Sequence, residues 1–245
     1  MTGYDPAERM LGGFLSLDGT VEFYGRVNAL LQPHIKVLDL GAGRGAWRDE
    51  DHSLWRRGLR EIGGKVAEYI GADVDEAVLT NPTTSRNLVI RDGTLPLGDE
   101  VIDLIICDYV LEHIADVDVF RNEVSRVLKP GGVFCGRTPH ALNYVSLVAR
   151  LVKNAQHANW LRRIQPNRNA EDVFPTAYKC NTVRRLGLIF EGWENFSYVY
   201  SSEPQYYFGK KLVYQLLSLF HKLAPSSVTG NLFVFVRKPL AGTRS

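Results

Sequence analysis

The run Val37-Leu38-Asp39-Leu40-Gly41-Ala42-Gly43-Arg44-Gly45 limits this chain more than any other stretch. Val37 to Leu40 are three apolar residues and an acid, and they read as the end of a buried parallel strand. Three glycines at alternate positions then supply the tight turn a chain needs on leaving a sheet for a helix. Without Cβ atoms that backbone reaches positive φ and lets a ligand lie directly against it. The helix start beyond it presents unpaired N–H groups. The spacing is Asp-x-Gly-x-Gly-x-Gly rather than the dinucleotide pattern G-x-G-x-x-G. A lone glycine loop is a weak signal, so its weight comes from what surrounds it.

Before it, Val21 to Leu31 carries apolar residues at helical spacing and stops at Gln32-Pro33. Strand one is expected over Ile35 to Leu40. The following stretch, Ala46 to Glu68, is charged and helical in tone, though Gly58 and Gly63-Gly64 interrupt it. Strand two is expected from Tyr69 to Val74. It ends in Asp73, about thirty positions past the glycine turn, where an acid can accept hydrogen bonds from two ribose hydroxyls. Strand three, Asn87 to Ile90, leads into Arg91-Asp92-Gly93, a second acid at a strand end. Strand four is Ile102 to Cys107, and a helix from Val117 to Leu128 stops at Lys129-Pro130-Gly131-Gly132. Strand five is Val133 to Arg137. This alternation predicts right-handed crossovers and a parallel sheet.

After Thr138-Pro139-His140 the rhythm breaks. Helices are expected within 141–170, at Cys180 to Phe190 and at 206–224. Trp193 to Ser201 reads as strand six, and Thr229 to Arg237 as a final antiparallel strand. With 245 residues, 45% of them hydrophobic and 23% charged, one domain over 1–245 with cap insertions at about 141–178 and 202–226 is the expected organisation. A net charge of +2 makes no general case for nucleic acid. Cys107, Cys135 and Cys180 are odd in number, and they read as buried thiols in a reducing compartment. No leader-like start and no apolar run of the ~18–20 residues that span a bilayer is present, so a cytoplasmic location is expected. Neither H-E-x-x-H nor C-x-x-C occurs, and no metal site is expected.

Taken together, Val37-to-Gly45, Ile70-Gly71-Ala72-Asp73, Arg91-Asp92-Gly93, Val110-Leu111-Glu112-His113-Ile114 and Glu123-to-Gly132 resemble the successive motifs of class I S-adenosylmethionine-dependent methyltransferases. The similarity is to the small-molecule type 11 branch and covers about residues 35–140. It implies a Rossmann-like, doubly wound α/β fold with seven strands in the order 3-2-1-4-5-7-6, strand seven antiparallel, and S-adenosyl-L-methionine as cofactor. By that resemblance Asp39 and the backbone of Gly41, Ala42, Gly43 and Gly45 hold the methionine end. Asp73, with Val74 beside it, takes the ribose. Asp92 accepts the adenine amine near the Gly93 N–H, and Cys107 and Asp108 line the methionine side. The glycine-broken connection after the turn and His140, where relatives often carry Asn, depart from the pattern.

Methyl transfer from a sulfonium is an in-line displacement, helped by alignment and exclusion of water. A hydroxyl nucleophile benefits from a base, commonly His. His140 and His113 follow central strands at the carboxyl edge, where ligands bind in such sheets, and they are the two candidates; a structural role stays open for each. In the insertion, Arg162, Arg163 and Arg168 with Lys179 suit an anionic acceptor, with Tyr144, Arg163, Arg168 and Tyr178 as candidate acceptor contacts. The apolar stripe of 206–224, flanked by Lys210, Lys211 and Lys222, suits packing, a partly apolar acceptor, a second copy or a membrane surface. The leading expectation is O-methylation of a saccharide, a lipid-linked glycan or a secondary metabolite. An N- or C-methyltransferase and a catalytically silent cofactor-binding module stay open. Nucleic-acid methylation is disfavoured, because Cys107-Asp108-Tyr109-Val110 stands where Asn/Asp-Pro-Pro-Tyr/Phe is needed.

Overall fold

The computed structural model describes residues 3–151 and 175–242. His157, Arg162, Arg163 and Arg168 lie outside these residues. Strands β1 (Lys36–Leu40), β2 (Glu68–Asp73), β3 (Arg86–Val89) and β4 (Ile102–Asp108) run parallel, with β5 (Leu128–Pro139) parallel to β4. Beyond them β8 (Asn231–Arg237) is antiparallel to β5, and it is followed by β6 (Glu194–Asn195) and β7 (Tyr198–Tyr200). The order β3-β2-β1-β4-β5-β8-β6, with β7 also on β8, is the expected 3-2-1-4-5-7-6 with strand six in two pieces.

The reason for the break is local. Asn195 Oδ1 accepts the Ser197 N–H at 2.9 Å, an Asx turn that steals a residue from the ladder. Phe196, at the bend, faces solvent. Similarly, Leu128 pairs with Ile102 and Val133 with Leu104, so Lys-Pro-Gly-Gly becomes an irregularity inside β5 rather than a turn ahead of it.

Alternation along the strands fills both faces of the sheet. Leu38, Ile70 and Ile105 enter one core with Phe134 and with α4 (Val117–Val127) and α6 (Val183–Ile189). Val37, Tyr69, Leu104 and Ile106 enter the other with Phe23, Tyr24 and Val27 of α1 (Gly19–Leu30). Capping fixes where these helices begin. Asp18 accepts from the Thr20 and Val21 amides, and Asp116 from that of Val119, each worth about 1 kcal/mol. The 46–68 connection is not one helix: α2 (Trp47–Glu50) and α3 (Leu54–Arg60) are short, and a 3₁₀ turn spans Gly63–Lys65. Past β5 come α5 (Tyr144–Leu151), α7 (Lys211–Leu223) and α8 (Ser226–Thr229). The expected helix over 206–224 therefore starts late, because Tyr206, Phe208 and Gly209 hold positive φ. No helix among the described residues is long and apolar enough to cross a membrane.

Candidate active site

The glycine turn is fastened on every side. The Gly41 and Ala42 amides both donate to the Ala72 carbonyl, at 2.7 and 3.2 Å. Asn81 Nδ2 donates to the carbonyls of Ala42 and Gly43, at 3.1 and 3.0 Å. Asp73 Oδ2 accepts the Gly43 N–H at 2.9 Å, and Oδ1 accepts that of Asp75. Two glycines have separate reasons. At Gly41, φ is 83° and a Cβ would stand 2.1 Å from Val110 Cγ2, so a side chain has no room. At Gly43, φ is 51° and a Cβ would meet nothing within 4 Å. That open backbone is where a ligand can lie.

Acids converge beside it. Asp39 is buried at the end of β1, and Tyr69 Oη donates to its Oδ2 at 2.7 Å. Burial pushes its carboxyl up to about 6, with Tyr69 pulling the other way. Each Asp73 oxygen keeps a lone pair beyond its backbone bond, so the group can still accept from hydroxyls. Ile90 N–H donates to the Asp73 carbonyl at 2.7 Å, which sets the tip of β3 alongside. There Asp92 and Gly93, with φ of 51° and 72°, form the two-residue turn whose geometry needs positive φ at both positions. Asp92 is exposed. Val74 is exposed too, and Ala42 and Gly45 lie in the turn itself.

Asp108, which ends β4, is half-buried and held by ion pairs. Arg137 grips it at 2.7 Å through both Nε and Nη2. Tyr24 Oη donates to it at 3.1 Å, and the Arg60 guanidinium lies 3.8 Å away. Burial raises its carboxyl, but Arg137 outweighs that and holds it below the usual range. Arg137 is itself stacked on Tyr109 and Phe23, at 4.7 and 5.3 Å. Arg60 lies over Trp47 and Tyr24. Cys107 is fully buried in the core, its thiol pushed well up by that burial. What Cys107 offers a ligand is backbone, not sulfur. All three cysteines are buried and free.

The two histidines differ. His140 is buried, which lowers its pKa. Its Nδ1 accepts the Leu142 N–H at 3.2 Å, and the ring also bonds the Ser227 backbone. These main-chain contacts let the imidazole act as a clamp on the β5 exit. His113 is half-buried, and its Nδ1 lies 2.9 Å from the Pro175 carbonyl. A carbonyl only accepts, so Nδ1 carries the proton and Nε2 is the basic nitrogen of the neutral ring. Tyr144 Oη meets the Gln205 backbone at 3.1 Å, as donor to the carbonyl and acceptor from the amide, and burial pushes it up to about 12. Tyr178 holds a positive φ of 49°, its N–H on the Glu112 carbonyl.

Several residues of this network were missed from sequence: Tyr24, Tyr69, Asn81, Glu112 and Arg137. Tyr69 and Arg137 stand inside otherwise apolar strand runs, and that misfit was the available signal. Glu112 is buried and accepts from Thr138 Oγ1 at 2.8 Å. Asn181 in turn donates to that hydroxyl at 2.6 Å.

The carboxylates suit a ligand rich in O–H and N–H donors, and known proteins agree. Residues 38–136 match the family described as a methyltransferase domain. A Mycolicibacterium smegmatis protein named a probable S-adenosylmethionine-dependent methyltransferase is 35% identical over 112 residues, 44% of this chain and 39% of that protein. A ubiquinone biosynthesis O-methyltransferase of Paramagnetospirillum magneticum is 30% identical over 128 residues, 47% of this chain and 45% of the relative. The matches thus span less than half the length of either. A SAM-dependent methyltransferase of Methanosarcina mazei superposes with a TM-score of 0.56 at 17% identity, over 88% of this chain and 97% of its own. The YcgJ protein of Bacillus subtilis does so at 0.51 and 18%, over 89% and 98%; both likenesses speak to the fold. Residues 38–136, which hold the glycine turn and the acids at the strand tips, thus match a class I S-adenosylmethionine-dependent methyltransferase domain, for which S-adenosylmethionine is the cofactor.

Proposed function

We propose that this protein moves a methyl group onto a hydroxyl of a small, partly apolar acceptor: a saccharide, a lipid-linked glycan or a secondary metabolite. The observation that carries this reading is the open Gly43 backbone flanked by the Asp39 and Asp73 carboxylates at neighbouring strand tips. S-adenosylmethionine, when bound, supplies the electrophilic methyl on a sulfonium. Asp73 accepts from the ribose hydroxyls through its remaining lone pairs. Asp92 takes the adenine amine at the exposed β3 turn, and Asp39 supports the methionine end. The Gly41–Gly45 backbone orients the ligand without reorganising, since its own hydrogen bonds are already made.

At the acceptor side, His113 Nε2 would take the proton of an acceptor hydroxyl, and the methyl group of the bound cofactor would pass to that oxygen, leaving S-adenosylhomocysteine. Its Nδ1–H, held by Pro175, keeps the ring in the basic tautomer. His140 stays a clamp on this reading. Tyr144 and Tyr178 contribute walls, and Arg163 and Arg168 would add an anion-binding edge if the acceptor carries phosphate or carboxylate.

Two measurements test the proposal. Calorimetry with S-adenosylhomocysteine should show binding that Asp73→Ala weakens by about 1–3 kcal/mol; no binding by the unaltered protein would remove the site. In a methyl-release screen over hydroxyl acceptors, His113→Ala should lower kcat by about 10²–10⁴-fold. A loss of only a few-fold, or an equal loss in His140→Ala, would return the base to an unassigned group.

A further inference from the structure

Among the described residues, none packs against the outward face of α7. Leu212, Leu216, Leu219 and Leu223 are 68%, 61%, 54% and 78% exposed, and Phe220 and Phe208 are exposed beside them. Their spacing of four, three and four puts the leucines in one stripe. Val213, Tyr214, Leu217 and His221 are the inner face, half-buried. There Tyr214 packs on Tyr4 and Tyr207, and His221 bonds the Ser202 carbonyl. The stripe continues onto α5. Tyr144 touches Phe220 at 6.1 Å between ring centroids, and Leu147 and Val148, three and four residues on, are exposed on that side. At the leading end, the positive φ of Tyr206 and Phe208 turns the chain so that Phe208 points outward.

Charge says what covers it. Lys210, Lys211 and Lys222 are exposed along the same helix, and no acid occurs from Pro204 to Gly230. Asp5 and Glu203, the acids that act on Tyr207 and Tyr214, are engaged by the Ala7 and Gly19 amides. A leucine stripe edged by lysines only is the composition of a helix lying in the plane of an anionic bilayer surface. A second copy fits less well. A helix of 13 residues offers a strip about 20 Å long and about 10 Å wide, short of the roughly 1,200–2,000 Å² that a stable interface buries. Paired copies would also present lysine to lysine. We infer that α7, with Phe208 and the exposed side of α5, seats this protein on an anionic lipid surface, so that the carboxyl edge of the sheet faces the membrane. Tyr109, next after β4, joins the two places through Gln205 and Asn231.

Co-sedimentation with vesicles decides the matter, using pure phosphatidylcholine against equimolar phosphatidylcholine and phosphatidylglycerol. The full chain should bind the anionic vesicles about tenfold more tightly than the neutral ones, with the gain lost in high salt. Leu216→Glu with Leu219→Glu should abolish binding, and Lys210→Ala, Lys211→Ala and Lys222→Ala combined should remove the preference for anionic lipid. These positions are exposed, and unchanged circular dichroism and S-adenosylhomocysteine binding would show that the variants stay folded. Equal binding to both vesicles, equal binding by the leucine variant, or a dimer that the leucine variant dissolves would each overturn the inference.

Discussion

The carboxyl edge of this sheet is built on two opposite plans. At the tips of β1, β2 and β4, Asp39, Asp73 and Asp108 are each pinned: Tyr69 holds the first, backbone amides the second, Arg137 and Tyr24 the third. Across the edge, α5 and α7 leave leucines in the open, and positive φ at Tyr178, Tyr206 and Phe208 stores strain of about 1–3 kcal/mol each. The first half is held in place by its own hydrogen bonds. The second leaves apolar side chains at the surface. The contrast separates what every member of such a family must do from what each does for itself.

The harshest way to break the contrast is Arg137→Ala. It strands the Asp108 carboxylate, whose side chain is only 9% exposed, without its bidentate partner, and unfolding by urea should show a loss of about 3–5 kcal/mol. A loss under about 1 kcal/mol would mean the pinned half is looser than drawn. Asp39→Asn works in the other direction. Burial pushes the Asp39 carboxyl up to about 6, above the ordinary carboxylate range, so the folded protein binds its proton more readily than the unfolded chain. The ionised group therefore costs stability above about pH 6, and that cost fades as pH falls through 6 toward 4. Near neutral pH, Asp39→Asn should be more stable by about 1–2 kcal/mol and bind S-adenosylhomocysteine more weakly. The stability gain should vanish at acid pH. The smallest change belongs to the other half: Leu212→Gln, on the exposed stripe, should leave stability within about 0.5 kcal/mol.

The parallel core and its order were legible because strand, turn and helix signals alternate from Ile35 to Arg137, and each is local. The glycine turn and the strand-end positions of Asp39, Asp73 and Asp92 were legible for the same reason. The hydrogen bonding that distinguishes His140 from His113 was not. It depends on whether Leu142, Ser227 or Pro175 reaches a ring nitrogen, and such long-range backbone approach leaves no pattern in the chain. Arg137 reads as a misfit in an apolar strand until Asp108, from the neighbouring strand, explains it. The late start of α7 was hidden in the same way, since nothing in Tyr206-Tyr207-Phe208 announces backbone that side chains of this bulk rarely adopt.

One fastening has a consequence for how such a protein can change. Ala141 N–H donates to the Asn181 carbonyl at 2.8 Å, and Asn181 Nδ2 donates to the Pro139 carbonyl at 3.0 Å. The Glu112 carbonyl takes the Ala177 and Tyr178 amides at 2.7 and 3.0 Å. The excursion between Ala141 and Asn181 thus departs and returns at one point, with both feet nailed to the frame. Closing such a loop costs only about 0.6 kcal/mol more for each doubling of its length. A change in the length of that excursion can therefore leave the sheet and the hydrogen bonds at its two feet in place.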